Sequence, residues 1–217
     1  YSTSDSSMAA FGPLVQYVCV VFMWLAGLPF IRYVQLVNGS VTPLLHDIQV
    51  RAYLRWTLYA IAAISLYRLA NSDDPLEVIL RESALNLVSL FSGTGFGSAD
   101  VSAWGDFPLL VVIVAGFIGA CTASTGCSIK VFRFLVLFAA IRAQLRQLVH
   151  PNRVTPVRLD GRRVDDEVVT SVIVLLSAFV LGFAILAALL SLTGLDMRTA
   201  ITAAWTSICN IGPVFGH

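Results

Sequence analysis

The chain has 217 residues, of which 57% are hydrophobic and only 12% charged, with a net charge of +1 and a mean hydropathy of +0.81. A soluble domain carries about a quarter of its residues charged, so this composition argues against a soluble enzyme or a nucleic-acid-binding domain. It points instead to an all-α integral membrane protein.

The apolar residues fall into runs without charge at 8–31, 107–129 and 168–195, each of the order of the ~20 residues a bilayer crossing needs. Tyr1–Ser7 lacks the basic start of a secretory signal, so 8 to about 33 reads as a retained first span. The absence of an initiator methionine points to a stretch taken from a longer protein. Turn signals at Asn38-Gly39 and Pro43 mark a connection. A second span, 50–70, is flanked by Arg51, Arg55 and Arg68, which are expected to snorkel to the two interfaces.

Residues 75–90 read as a helix too short and too polar, with Arg81, Glu82 and Asn86, to be a full crossing. It runs into Ser92-Gly-Thr-Gly-Phe-Gly-Ser-Ala-Asp100, where three glycines in five positions end the helix. Acids on both sides of this unit place its ends on one face of the membrane, so it is read as re-entrant. Without a preceding strand, the glycine pattern carries no weight as a nucleotide loop. A third span from 107 is interrupted by Gly119-Ala-Cys-Thr-Ala-Ser-Thr-Gly-Cys-Ser128. Such a run of small residues is either a helix-packing surface or a broken helix beside an ion path. Helix resumes from 129 to about 148, a polar connection turns at Asp160-Gly161, and 168–193 is a fourth span. A second short helix, 196–208, ends in Cys209-Asn-Ile-Gly-Pro-Val-Phe-Gly216.

Basic residues gather at Arg32, Arg51, Arg55 and from Lys130 to Arg163, while acids dominate the alternate connections. The positive-inside rule places 35–50 and 142–166 in the cytoplasm, which accounts for the basic run without nucleic acid. All four cysteines read as small buried residues rather than zinc ligands. The three histidines are scattered, and Ser92 and Ser207 have no nearby histidine partner by sequence, so no catalytic residues are assigned.

The two short helices superpose at a fixed offset that brings Arg198 onto Arg81, Thr206 onto Ser89 and Gly212 onto Gly95. Tyr1-Ser-Thr-Ser-Asp5 likewise matches Phe96-Gly-Ser-Ala-Asp100, so the chain reads as the end of one unit, a whole second unit and most of a third. Gly93-Thr-Gly-Phe-Gly-Ser-Ala-Asp100, the Gly119–Lys130 stretch, His150-Pro-Asn152 and Asn210-Ile-Gly-Pro213 together resemble the TrkH branch of the Trk/Ktr/HKT superfamily of potassium uptake transporters.

That resemblance implies four M1–P–M2 repeats (span, pore helix, span) around one pore, as in potassium channels. Residues 1–49 would then hold the end of one filter segment, the M2 of repeat two and a connection. Residues 50–166 would be repeat three, and 167–217 the M1, pore helix and filter of repeat four. It also implies K⁺-filter residues at Gly93, Thr94, Gly95, Phe96, Asn210, Ile211, Gly212 and Tyr1, and a gate loop containing Gly119, Cys121, Thr122, Ser124, Thr125, Gly126 and Lys130. Ala120, Ala123, Cys127 and Ser128 stand where the family commonly has glycine or serine. Lys130 is either a residue of the inner pore mouth or an interface anchor. A homodimer in the bacterial inner membrane, and a cytoplasmic nucleotide-binding regulatory subunit of TrkA type, are further implications. The resemblance also implies K⁺ as the transported ion, and no cofactor is expected. Physically, backbone carbonyls on a glycine-permitted loop can replace the hydration shell of K⁺ without net charge. The competing reading is a carrier of another class that binds a small solute at broken helices. Gly116 and Gly182 fall on spans, away from the glycine loops.

Overall fold

The computed structural model describes residues 7–150 and 156–215; Tyr1, Asp5, Pro151, Asn152 and Gly216 lie outside the described residues. Among the described residues the fold is nine α-helices, one 3₁₀ turn and a two-stranded hairpin. Helix α1 (Pro13–Ala26) starts with proline at its first position, where a missing N–H costs nothing. It ends before Pro29, and α2 (Phe30–Val37) leaves at 93° to it. The expected single span over 8–33 is therefore two short helices. Pro29 cannot donate to the carbonyl one turn earlier, and the chain turns there.

After α3 (Thr42–His46), Asp47 caps α4 (Ile48–Asn71) by accepting from the Gln49 N–H at 2.8 Å. The same carboxylate pairs with Arg32 at 2.6 Å, which ties α2 to the start of α4. Helix α5 (Leu76–Ser92) is the centre of the fold. Every residue from Leu85 to Ser92 is buried, and the helix packs against α1, α4 and α6 (Asp106–Ile118). Its 17 residues rise about 25 Å, so it remains shorter than a bilayer core.

Helix α7 (Val131–Val149) follows the interruption after α6. Strands β1 (Arg158–Leu159) and β2 (Arg162–Arg163) then pair antiparallel across Asp160-Gly161, whose φ values of 51° and 78° both suit the hairpin twist. Helix α8 (Asp166–Ser191) is the one described helix long and apolar enough by itself to cross a membrane. Only Val172 along it is buried. Helix α9 (Met197–Cys209) packs on α8 and α6. It is capped by Asp196, which accepts from the Arg198 and Thr199 N–H groups at 3.1 and 3.2 Å. Hydrogen bonding to Thr199 holds the Asp196 carboxyl below the usual range. Trp205 on α9 is fully buried, edge-on to Phe117 of α6.

Two expectations about side chains change here. Arg68 does not snorkel. It is buried, pairs with Asp74 and with Glu82 at 3.0 Å each, and lies 4.2 Å from the centre of the Trp104 ring. Two carboxylates and an aromatic face replace the water it would otherwise seek, so it joins α4 to α5 and to the 3₁₀ turn Val101–Trp104. Cys127 is exposed, while Cys121 and Cys209 are buried as expected and Cys19 is half-buried. Cys127 sits in the loop between α6 and α7 (Val131–Val149).

The Arg68 cluster generates a measurable expectation for the full-length protein. Arg68→Gln leaves Glu82 without its partner and should cost about 3 kcal/mol of stability. Adding Glu82→Gln should recover part of that loss. Thermal unfolding of the two single variants and the double variant checks the coupling, and strictly additive losses would refute the pairing.

Candidate functional site

Helices α5 and α9 end in the same way. Gly93 follows α5 at φ 74°, ψ 25°, and Asn210 follows α9 at φ 52°, ψ 53°, both left-handed. In each, the next N–H but one turns back to the helix. Thr94 N–H donates to Ser89 O at 2.8 Å, and Ile211 N–H donates to Thr206 O at 3.1 Å. Gly95 and Gly212 then take φ 82° and φ 111°, a region where a side chain is strained. The offset read from the sequence thus relates two segments with matching backbone.

The two loops meet. A Cβ placed on Gly95 would run into the Ile211 carbonyl oxygen, and one on Gly212 would come 3.8 Å from the Gly95 Cα. Thr94, Asn210 and Gly212 are exposed, whereas Ile211 is buried. Phe96 leans on a side cluster containing Met8, Leu85 and Val88. Neither loop carries a charged side chain between Gly93 and Ala99 or between Asn210 and Phe215. The polar groups these loops present are backbone dipoles, hydroxyls and one amide side chain.

Side chains brace both loops from behind, and the sequence reading had singled out few of these. Asn86 donates to Ser98 Oγ at 3.0 Å and accepts from Ser98 N–H at 3.3 Å. Thr206 Oγ1 accepts from Gly212 N–H at 2.7 Å. Thr202 Oγ1 accepts from Phe215 N–H at 3.2 Å and donates to Phe215 O at 2.9 Å. Thr206 was accessible through its match to Ser89. For Thr202 the only available signal was a hydroxyl on an otherwise apolar short helix. Gly116 also belongs here, contrary to its reading as a remote span glycine. A Cβ on it would run into the Trp205 ring and come 2.8 Å from the Ile211 Cδ1.

Residues 119–130 leave the helical path and return to it. Lys130 N–H donates to Ile118 O and Val131 N–H to Ala120 O, so the ends of the excursion lie side by side. Gly119 and Gly126 allow this closeness: added Cβ atoms would lie 2.5 Å from Ser128 Cβ and 2.9 Å from Ala120 Cβ respectively. The loop rests against the break between α1 and α2. Thr125 N–H and Cys121 N–H donate to Ala26 O and Gly27 O at 3.3 and 3.1 Å, and Phe30 N–H donates to Ala123 O at 2.9 Å. Gln49 accepts from Thr122 N–H at 3.1 Å.

The same loop reaches the first glycine segment. A Cβ on Gly93 would lie 3.4 Å from Gly126 Cα, and Asn210 Nδ2 points to Cys127 Sγ at 3.5 Å. Ser124 bonds back to Cys121 O, and Lys130 donates to the Gly126 carbonyl. Ala123 and Lys130 hold φ 59° and 84°, left-handed without being glycine. Every candidate among the described residues therefore falls in one contiguous region, formed by two helix-end loops and one helix interruption. Tyr1 lies outside the described residues.

The family model for TrkH, a cation transport protein, matches residues 1–217. The chain belongs to the TrkH family. It is 34% identical to the Trk system potassium uptake protein TrkI of Halomonas elongata, covering all of this chain and 44% of that protein. It is 28% identical to the Trk system potassium uptake protein TrkH of Salmonella typhimurium, covering all of this chain and 45% of that one. The crystal structure of the potassium transporter TrkH from Vibrio parahaemolyticus superposes with a TM-score of 0.93 at 26% identity, over the whole of this chain and 47% of that one. The chain thus spans about half the length of the relatives it matches. The membrane character read from composition agrees with membership of this family.

The geometry ranks three glycine substitutions in the full-length protein. Gly95→Ala combines a strained φ with collision against a backbone carbonyl and should lower the melting temperature most. Gly212→Ala meets strain without collision and should cost about 1–2 kcal/mol. Gly182→Ala on α8 has open space around it and should stabilise by ~0.5–1 kcal/mol. Thermal unfolding in detergent measures the order, and an equal response at Gly95 and Gly182 would contradict the loop geometry.

Proposed function

We propose that this chain forms part of the pore of a potassium uptake system in the bacterial inner membrane. The carrying observation is the meeting of two charge-free glycine loops, each at the end of a short, buried helix, beside an interrupted helix. In this reading α5 and α9 are the pore helices of two M1–P–M2 units. Helix α4 is the M1 of the first unit, the broken pair α6–α7 its M2, and α8 the M1 of the next. Gly93, Thr94, Gly95 and Phe96, with Asn210, Ile211 and Gly212, are two filter segments, and Tyr1 ends a third. Carbonyl oxygens on these segments replace water around K⁺, and the left-handed glycines turn the peptide groups that carry them. The names of the relatives supply potassium as the ion.

Residues 119–130 act as the gate in this reading. The backbone bonds to Ala26, Gly27 and Phe30 hold the loop beside the filter, and conduction requires their rearrangement. A homodimer and a cytoplasmic nucleotide-binding subunit of TrkA type complete the proposed assembly. The acid-rich side is the outer mouth, where carboxylates would raise the local cation concentration.

Two outcomes test the proposal in the full-length protein, reconstituted at matched abundance. Gly95→Ser and Gly212→Ser should erode K⁺ over Na⁺ preference, since a side chain shifts a carbonyl or narrows the path. A loss of ~1.4 kcal/mol in discrimination lowers the flux ratio about tenfold. Gly182→Ser is the control. Gly116 is unsuitable because it touches Ile211. An unchanged ratio in both loop variants overturns the filter assignment. Separately, deleting residues within 120–127 should raise K⁺ flux, and a correctly inserted deletion variant with parental flux overturns the gate.

A further inference from the structure

A second concavity lies away from the glycine loops, between the first half of α4, one face of α7 and the hairpin. Its volume is about 690 Å³. Four arginines line it: Arg55 from α4, Arg142 and Arg146 one turn apart on α7, and Arg158 from β1. Among the described residues none of the four pairs with a carboxylate. Asp160, the acid on this wall, lies 3.9 Å from Arg51, which is not part of the lining. Arg55 Nε donates to the Arg51 carbonyl, a neutral partner.

The rest of the lining is aromatic and apolar. Trp56 and Phe138 pack edge to face with centroids 6.3 Å apart, and Tyr59 lies one turn along α4. Four guanidinium groups without a carboxylate partner among the described residues, beside an aromatic wall, match a ligand with a phosphate at one end and hydrocarbon at the other. Guanidinium forks suit phosphate oxygens, and aromatic rings favour the level of lipid headgroups. The excess of arginine puts this end on the cytoplasmic side, where basic pockets between helices bind acidic headgroups.

We infer that this groove binds the phosphate headgroup of an anionic phospholipid from the inner leaflet, with its chains against Trp56 and Phe138. The inference rests on membrane insertion and not on potassium selectivity, so the flux ratios above can fail while it stands.

The full-length protein in detergent is titrated with phosphatidylglycerol or phosphatidylcholine, and retained lipid is counted by native mass spectrometry. The parent should prefer phosphatidylglycerol by about tenfold or more, and raising the salt should weaken that preference. Arg142→Gln with Arg146→Gln should lower the preference about tenfold while phosphatidylcholine retention stays unchanged. Arg162→Gln with Arg163→Gln, on β2 outside the groove, should leave it intact. Inorganic phosphate offered alone should bind far more weakly. No preference in the parent, a preference insensitive to salt, an equal loss in both variant pairs, or full occupancy by inorganic phosphate would each overturn the site. The parent's preference and its salt response need no substitution, so misfolding of a variant leaves the test standing.

Discussion

The structure depends on how backbone groups freed by two broken helices find hydrogen-bond partners in each other. Each unpaired peptide group in hydrocarbon costs several kcal/mol. Helix α1 ends at Ala26, leaving carbonyls without the next turn, and α6 ends at Ile118. The loop after α6 donates to Ala26 and Gly27 and accepts from Phe30, so each break supplies the partners that the other lacks. The small side chains of 119–128 have a physical reason in this arrangement. Anything larger at Gly119 or Gly126 would force the two limbs of the excursion apart.

The same constraint explains the helix-end loops. A helix that stops inside the protein must turn sharply, and a left-handed residue followed by a bond to the carbonyl five residues back achieves it. Gly93 does this at little conformational cost, while Asn210 does it as the non-glycine residue that tolerates the region best. Hydroxyl and amide side chains then fix the remainder: Asn86 on one loop, Thr202 and Thr206 on the other. Different residues on the two helices perform one task, so the shared backbone is closer than the shared sequence.

Much of this was legible beforehand. Uncharged runs marked α1, α6 and α8, and glycine clustering marked both loops and the interruption, because glycine and small residues report backbone shape directly. The turn at Asp160-Gly161 was read correctly, although not its hairpin. Other features escaped because they depend on distant partners. Pro29 marked where the chain could turn between α1 and α2, but not that the loop after α6 would bond to the break. Arg68 looked like a snorkelling residue because Glu82 and Trp104 lie 14 and 36 positions away. Gly116 looked like a plain span glycine because its neighbours Trp205 and Ile211 come from the chain's last segment. Local pattern reveals where the backbone departs from regular structure, and the tertiary fold decides which side chain fills each gap.

The placement of charge follows from the same economy of solvation. On α5 the ionisable residues Glu77, Arg81 and Glu82 occupy the first two turns, and on α9 Arg198 stands in the first. Beyond them both helices are uncharged to their loops. Asp100 stands just past the first loop, and Lys130 is bound to the Gly126 carbonyl of the interrupted helix. A cation stripped of water in the proposed filter would therefore meet dipoles rather than full charges. A carboxylate there would hold the ion too tightly to release it, since attraction between unit charges grows steeply as the surroundings lose water. Neutral carbonyls aimed by glycine-bearing turns avoid that trap, because conduction needs binding strong enough for entry and weak enough for exit. Keeping α5 and α9 short has the same effect. It buries their uncharged ends where the loops meet and keeps their charged residues near the other end, where ion pairs such as Arg68 with Glu82 hold them.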